Sequence, residues 1–363
     1  MPSPVFARSL IAVAIGAVAT VALTTPALAE GPAKLNTASV FSTQNFLGAG
    51  AVRLSEELQK ATGGAVSLEV HEPGDLVPPF EVFNSVSSGA IQAGWDWIGY
   101  WAGTVPITNL YGALPFGPSP EAFMSWMWAG EGTELLQKAY DPYGVKVLPC
   151  FISPQETGGW YNKEINTPED FEGLSMRISG LGARVLNKLG ASTQLIPGGE
   201  IYLSLERGRI DATEFSIPQV DAAMGFDEIA KYYYFPGWHQ SASWFSLIVN
   251  QDVWDEYSDE RKAQFETACR ATLQWSMAAA PPQQVRTIRE IEESGVTVKR
   301  FPDPVIEALQ NAWVEVRKEE MANNPAFKEA YESLMEHVGL IEAWYELQEL
   351  PAPMPVDAAE GES

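Results

Sequence analysis

An arginine and a glutamate, Arg177 and Glu214, carry the most chemistry in the stretch 170–219, which reads DFEGLSMRISGLGARVLNKLGASTQLIPGGEIYLSLERGRIDATEFSIPQ. A planar guanidinium holds a carboxylate by two parallel N–H bonds, which a lysine cannot match. The competing role for Arg177 is a structural salt bridge or a solvated strand end. For Glu214 it is a salt bridge across a sheet. A cation and an anion at neighbouring strand ends are candidates for one polar site.

The local pattern must place both groups. Apolar runs and glycine stops predict a strand over 174–178, a helix over 181–189 closed by Gly190, and a strand over 192–195. A helix over 199–207, closed by Gly208, and a strand over 212–215 follow. In an open α/β sheet, ligands sit outside the carboxyl ends of such strands.

The N-terminal third has the same alternation. Strand 34–40 is followed by helix 48–62, strand 66–70, helix 80–88 and strand 91–95, which implies a parallel sheet. Residues 95–120 are dense in aromatics, among them Trp95, Trp97, Tyr100, Trp101 and Tyr111, as suits a core or a pocket wall. Helices over 121–129 and 133–140 precede strands over 145–152 and 157–162. Thr167, Pro168 and Asp170 read as a helix start. Strands are expected over 231–235, 244–249 and 296–300. Helices over 261–280 and 284–293 are separated by Pro281 and Pro282, which are expected to kink or break the run. Residues 304–349 read as almost wholly helical.

The first residues address the compartment. Arg8, an apolar run over 10–22 and the small residues Ala27 and Ala29 make a secretory signal peptide over 1–29, cut after Ala29. No second apolar stretch of about 20 residues follows. The 363-residue length suggests two domains, and 46% hydrophobic content supports a real core. A formal charge of −24 argues against nucleic-acid binding, so an anionic ligand needs a local basic group inside a pocket. Export permits a disulfide, but Cys150 and Cys269 lie far apart, and two free buried thiols are the favoured reading.

Enzyme signatures are missing. No two of His71, His239 and His337 are four apart, and no G-x-S-x-G or G-x-x-x-x-G-K-[ST] occurs. Gly180 and Gly182 lack the third glycine of a dinucleotide loop, because Val185 stands there. A binding protein is expected, not an enzyme.

Several motifs together carry a resemblance. They are G-L-S-M-R-I at 173–178, P-G-G-E-I-Y-L-S-L-E-R-G-R-I-D-A-T-E at 197–214, F-E-V-F-N-S-V-S-S-G within 73–94, and K-Y-Y-Y-F-P-G-W at 231–238. In these the chain resembles the DctP-type solute-binding receptors of TRAP transporters, over residues 34 to 349. It is most similar to the branch that binds 2-oxo acids and lactate with a metal ion.

The resemblance implies two α/β lobes with a cleft between them. The expected division is 30–150 for lobe 1, with parts of 250–303, and 151–249 for lobe 2. A C-terminal helical region over 304–350 and a disordered tail over 351–363 complete it. It implies a hinge where the chain crosses near 150–154 and 244–249. It implies Arg177 as the carboxylate clamp, Tyr100 as a hydrogen-bond partner and Thr157 facing the ligand. It implies a sodium or calcium ion held by Gln155, Glu214 and the Phe215 backbone oxygen. Hard cations of this kind take oxygen ligands.

Three positions depart from that branch. Phe215 stands where tryptophan is usual, and Thr157 where asparagine is usual. Gln240 stands where a further acidic metal ligand is expected, which removes a negative charge and weakens calcium relative to sodium. The implied partners are a small organic acid, with a 2-oxo or 2-hydroxy monocarboxylate leading, and a membrane permease. The C-terminal helices either form a homodimer or pack across the chain's own lobes. A periplasmic enzyme or a sensory module using the same cleft is the alternative.

Overall fold

The computed structural model describes Met1 and residues 31–349. The signal peptide expected over 1–29 and the tail expected over 351–363 lie outside the described residues. Among the described residues no helix is long and apolar enough to cross a membrane.

Two sheets organise the chain. The strands are β1 (Lys34–Ser39), β2 (Ser67–His71), β3 (Ala93–Trp97), β4 (Val145–Ser153), β5 (Gly159–Tyr161), β6 (Ser175–Arg177), β7 (Ser192–Gln194), β8 (Ala212–Thr213), β9 (Tyr232–Phe235), β10 (Ser243–Asn250) and β11 (Thr297–Arg300). The first sheet has the order β2-β1-β3-β10-β4, and the second β11-β9-β5-β8-β6-β7. Both mix parallel and antiparallel pairs: β1 runs parallel to β2 and β3, while β10 is antiparallel to β3 and β4. The sequence Ala-Gly-Trp-Asp-Trp of β3 is buried throughout, as expected for a strand covered on both faces.

The helix Phe46–Thr62 covers one face of the first sheet. Asn45 caps it, its side-chain oxygen accepting from the N–H groups of Leu47 and Gly48, and Leu47, Ala51, Leu54 and Leu58 form its buried stripe. In the second sheet, helix Gly180–Lys188 buries Leu181, Val185 and Leu186 in the same way.

The sheets redraw the expected lobes. Residues 243–249 fall inside the expected lobe 2, yet β10 pairs along its length with β4 and also with β3 in the first sheet. All eight of its residues are buried, so it fits a central position. Of the stretch 250–303, parts of which are expected in lobe 1, residues 297–300 form β11 and pair in parallel with β9 in the second sheet. The expected strand over 157–162 shrinks to β5, and the start at Thr167 leads only one tight turn, Pro168–Phe171, with the capping box formed.

Pro281 and Pro282 do not end their helix. It runs from Asp259 to Glu293 with both prolines inside. An interior proline costs about 3 kcal/mol. The two prolines together cost about 6 kcal/mol, and burial of Phe265, Leu273 and Ile291, at roughly 1.5–3 kcal/mol each, offsets a cost of that size.

The free-thiol reading is also corrected. The same helix lies across β4, bringing Cys269 to Cys150, and the two form a disulfide. Proximity arises from the tertiary crossing, which a sequence separation of 119 hides.

The C-terminal region forms helices Asp303–Asn323 and Pro325–Gln348. The first packs on helix Gly180–Lys188 beside the second sheet. The second packs on helices Thr108–Gly112 and Pro120–Ala129 beside the first. The pair therefore straddles the chain's own two halves.

Candidate functional site

Four segments meet at the junction of the two sheets. Backbone hydrogen bonds lace them: Glu156 N–H donates to Gln240 O, Thr157 to Ser216 O, Gly158 to Tyr234 O, and Glu214 to Arg177 O. Gly237 is required by this packing. A Cβ there would lie 2.2 Å from the carbonyl oxygen of Glu156. Gly159 adopts φ +101°, and a Cβ there would approach the Thr213 oxygen to 2.6 Å.

Arg177 ends β6 with its side chain 2% exposed. Its Nε donates to Ile196 O at 3.2 Å, and its Nη1 donates to Glu214 O at 2.7 Å and to Glu214 Oε1 at 2.8 Å. The guanidinium lies over the Phe215 ring, 5.3 Å from its centroid. Glu214 Oε1 also accepts from the backbone N–H and the hydroxyl of Ser179. Its burial favours the neutral acid, but the charge of Arg177 and the proximity of His239 prevail and hold it well below the usual range.

One carboxylate edge is thus satisfied and the other is not. Glu214 Oε2 is buried without a hydrogen-bond partner, as is Glu156 Oε2. His239 Nε2 stands between them, 3.5 Å from Glu214 Oε2 and 3.7 Å from Glu156 Oε2. Neither ring nitrogen of His239 is hydrogen-bonded. Burial opposes the charged imidazole, yet the two carboxylates outweigh it and lift His239 to about 9. Burial pushes Glu156 up, opposed by His239 and reinforced by the Glu214 charge.

The expected site residues separate into those inside and one outside. Arg177, Glu214, Phe215, Tyr100 and Gln240 line one small cavity together with Glu156. Thr157 is buried beside it. Gln155 is exposed and its amide donates to Gly237 O at 3.4 Å, so its side chain lies outside the cluster. Successive side chains of an extended segment point to opposite sides. Glu156, one position on, takes the inward place.

Gln240 donates its amide to Glu156 Oε1 at 2.8 Å and to Ser243 Oγ at 2.8 Å. The acid and the amide expected on this wall have exchanged places: the acid stands at 156 and the amide at 240. A carboxyl group therefore stands on this wall after all, at Glu156. The sequence reading missed Glu156 and His239. His239 directly follows the quoted K-Y-Y-Y-F-P-G-W, which is the signal that locates it, whereas Glu156 follows no quoted motif.

Tyr100 is partly buried among Phe41, Phe80 and Trp97. Burial raises its hydroxyl to about 12, against the pull of Arg177, so it stays a neutral donor. Asp221 supports the loop from below, accepting from Trp160 Nε1, Tyr233 OH and Ser216 N–H.

The cavity at Arg177 holds about 10 Å³, room for about one water. Phe41 and Phe215, with ring centroids 6.3 Å apart, also line a second space of about 580 Å³. Its walls are Pro73 and Pro79 beside the first sheet and Pro197, Tyr202 and Met224 beside the second. The polar cluster therefore lies behind an aromatic pair, at the end of a cleft between the lobes.

Residues 37–324 match the bacterial extracellular solute-binding proteins, family 7, or DctP. The chain belongs to the DctP family. Among its relatives is a monocarboxylate 2-oxoacid-binding periplasmic protein of Nostoc, 30% identical over 83% of this chain and 83% of that one. A TRAP transporter solute-binding protein of Bordetella bronchiseptica, a dimer with copurified calcium and picolinate, superposes with a TM-score of 0.84 at 28% identity. It covers 87% of this chain and 95% of that one. A TRAP periplasmic protein of Pseudoalteromonas atlantica, with bound sodium and pyruvate, gives 0.80 at 29% identity, covering 86% and 96%. The two-sheet architecture is thus that of the two-lobed DctP receptors, and these relatives are receptors, not enzymes.

Proposed function

We propose that this chain is the exported solute receptor of a TRAP-type transporter, and that it captures a small monocarboxylate, with a 2-oxo acid first among them. The carrying observation is the half-used Arg177–Glu214 pair. Arg177 commits Nε and Nη1 to Ile196 and Glu214, and the Tyr100 hydroxyl lies against its guanidinium. That leaves a buried cation facing a cavity lined by Tyr100, Trp97 and Phe41. A carboxylate is the group that completes such a guanidinium.

The residues also fit a cation. Glu156 Oε2, Glu214 Oε2, His239 Nε2 and Gln240 Oε1 are buried polar atoms without hydrogen-bond partners, and the two carboxylate oxygens face His239 Nε2 at 3.7 and 3.5 Å. The first three residues can each offer a ligand atom within 4.8 Å of one another. Unpaired buried charge is costly, so such atoms call for a counter-charge. A bound cation would hold the carboxylate and 2-oxo oxygens of the solute and cancel the glutamates that otherwise repel it. Arg177 would orient the acid, Tyr100 would donate to it, and Thr157 would shape its far side. Gln155 remains outside this set.

In this reading the solute is captured and released chemically unchanged. Delivery is to a membrane permease, and the 1–29 segment supplies export to the periplasm. The chain's lobes enclose the ligand between them, and the ligand biases closure by its preference for that state. The apolar end of helix Pro325–Gln348 supplies a dimer surface.

A thermal-shift screen of 2-oxo, hydroxy, aromatic and sugar acids, with and without chelator, tests the reading. A ligand at about 100 times its Kd adds about 2.7 kcal/mol. The expected result is a rise with a 2-oxo acid that the Arg177→Ala protein lacks. No response to any acid, or an unchanged response in Arg177→Ala, overturns it.

A further inference from the structure

We infer, on the receptor reading just proposed, that the acid captured at Arg177 carries an extended apolar side chain, and that the chamber in front of Phe41 and Phe215 is the subsite that takes it. Arg177 holds the acid end, and the chamber selects the tail.

The spaces are continuous in layout. The cavity at Arg177 holds about 10 Å³ and the chamber beyond it about 580 Å³, within the roughly 300–1,000 Å³ of small-molecule sites. Phe41 and Phe215 line both, so their rings are the partition. On its other sides the inner cavity meets Leu47, Trp97, Gln240 and Phe245, all buried, with the core behind them. A solute seated on Arg177 can therefore extend only toward the chamber. Phe41 follows β1 of the first sheet and Phe215 follows β8 of the second. A movement that parts the two halves parts the rings and joins the two spaces.

The chamber is also apolar in chemistry. Pro79, Pro197, Tyr202 and Met224 form much of its wall. Prolines fix their backbone, so filling the space orders little that is not ordered already. Methionine adapts its shape to the occupant. The polar groups at the edge are committed within their own turn. Ser42 Oγ accepts the Gln44 N–H, and Asn45 Oδ1 caps the helix that follows.

Charge excludes a second acid group. Among the described residues that line the chamber there is no lysine, arginine or histidine, and the charged one, Glu200, is an exposed carboxylate. A carboxylate on the tail would enter without a counter-charge and meet one of its own sign. The solute class that fits is a 2-oxo monocarboxylate with a hydrocarbon tail, rather than a dicarboxylate or a polyhydroxy acid.

Calorimetric titration of the mature protein, with sodium and calcium both present, compares pyruvate, 2-oxobutanoate, 2-oxohexanoate and 2-oxoglutarate. Each methylene that enters the chamber should tighten binding about fourfold, so 2-oxohexanoate should exceed pyruvate by on the order of 50-fold. 2-Oxoglutarate should bind more weakly than 2-oxohexanoate by about tenfold or more. The heat-capacity change of binding should grow more negative along the series as apolar surface is buried. Ala223 lines the chamber yet is itself exposed, so Ala223→Trp obstructs the space at a surface position. In that variant the affinity ratio of 2-oxohexanoate to pyruvate should fall to within a few-fold of one. A flat or falling affinity from pyruvate to 2-oxohexanoate, or a ratio unchanged in Ala223→Trp, overturns the inference. If the variant does not fold, the native series and its heat capacities decide. Pyruvate binding with no gain from chain length removes the tail subsite and leaves the receptor reading standing, whereas silence of every acid removes both.

Discussion

Arg177 Nη1 lies 2.8 Å from Glu214 Oε1, and each residue keeps an edge that the pair does not use. Both side chains are almost wholly buried, at 2% and 1% exposure. A buried ion pair is weak evidence for stability, since desolvation offsets much of the attraction. Here the pair also orients: Glu214 aims one oxygen at His239, and Arg177 lines the small cavity with Tyr100 and Phe215.

The pair predicts a split between two substitutions. Arg177→Ala leaves Glu214 buried without its counter-charge and should lower stability by about 3–5 kcal/mol. Arg177→Lys keeps a charge but loses the fork, so stability should fall less while acid binding weakens by about tenfold or more. Denaturant unfolding and calorimetric titration of the two variants separate these outcomes. Equal stability losses would show that the charge of Arg177 is not what Glu214 needs.

Asp96 supplies a pH prediction away from the site. It is fully buried, accepting from Trp101 Nε1 and Ser246 Oγ, and burial lifts it to about 7 against those bonds. The unfolded chain releases this proton near 3.9, so between about pH 4 and pH 7 the folded state binds more protons. Stability is therefore fully present below about pH 4 and declines toward pH 7. Asp96→Asn, with its amide donating to Ser246, should lack that decline and exceed the native protein at pH 7.5. Melting curves across pH 4–8 check it; parallel curves for the two proteins would refute it.

The disulfide should matter for stability more than for binding. Chain-entropy arguments for a loop of 119 residues give on the order of 5 kcal/mol as a ceiling, with 2–4 more usual. Cys150→Ala with Cys269→Ala should shift the denaturant midpoint accordingly and leave solute affinity unchanged. An unmoved midpoint would mean the crossing of helix and strand holds without the bond.

The outer end of helix Pro325–Gln348 exposes Leu340, Trp344, Tyr345 and Leu347. Large exposed apolar patches on soluble proteins mark interaction surfaces. Light scattering after gel filtration should give twice the chain mass, and Trp344→Asp should return it to one. A native protein already at one chain mass would remove the dimer.

Much of this was legible in the sequence. The strand–helix alternation placed the first sheet, and the motifs around 173–214 put Arg177 and Glu214 at adjacent strand ends. What was hidden depended on tertiary contact. Gln155 and Glu156 are neighbours in an extended segment, and no local signal tells which one faces inward. The Gly237 close approach decides it. His239 carried no i+4 partner, and its neighbours Glu156 and Glu214 come from two other segments, so no spacing was left to read. The strand 243–250 joined the other sheet for the same reason, since its pairing partners are remote.

The long helix Asp259–Glu293 touches both halves of the molecule, and its two attachments differ in kind. Cys269 is covalently bound to β4 of the first sheet. Gln284 exchanges two hydrogen bonds with Gln219, next to the second sheet. Pro281 and Pro282 lie between these anchors, so the carbonyls of Met277 and Ala278 lack their usual helical donors. The rod is thus riveted at one end, tied at the other and notched in between. A turn of one lobe against the other would concentrate its bending at that notch, far from the ligand and without disturbing either anchor.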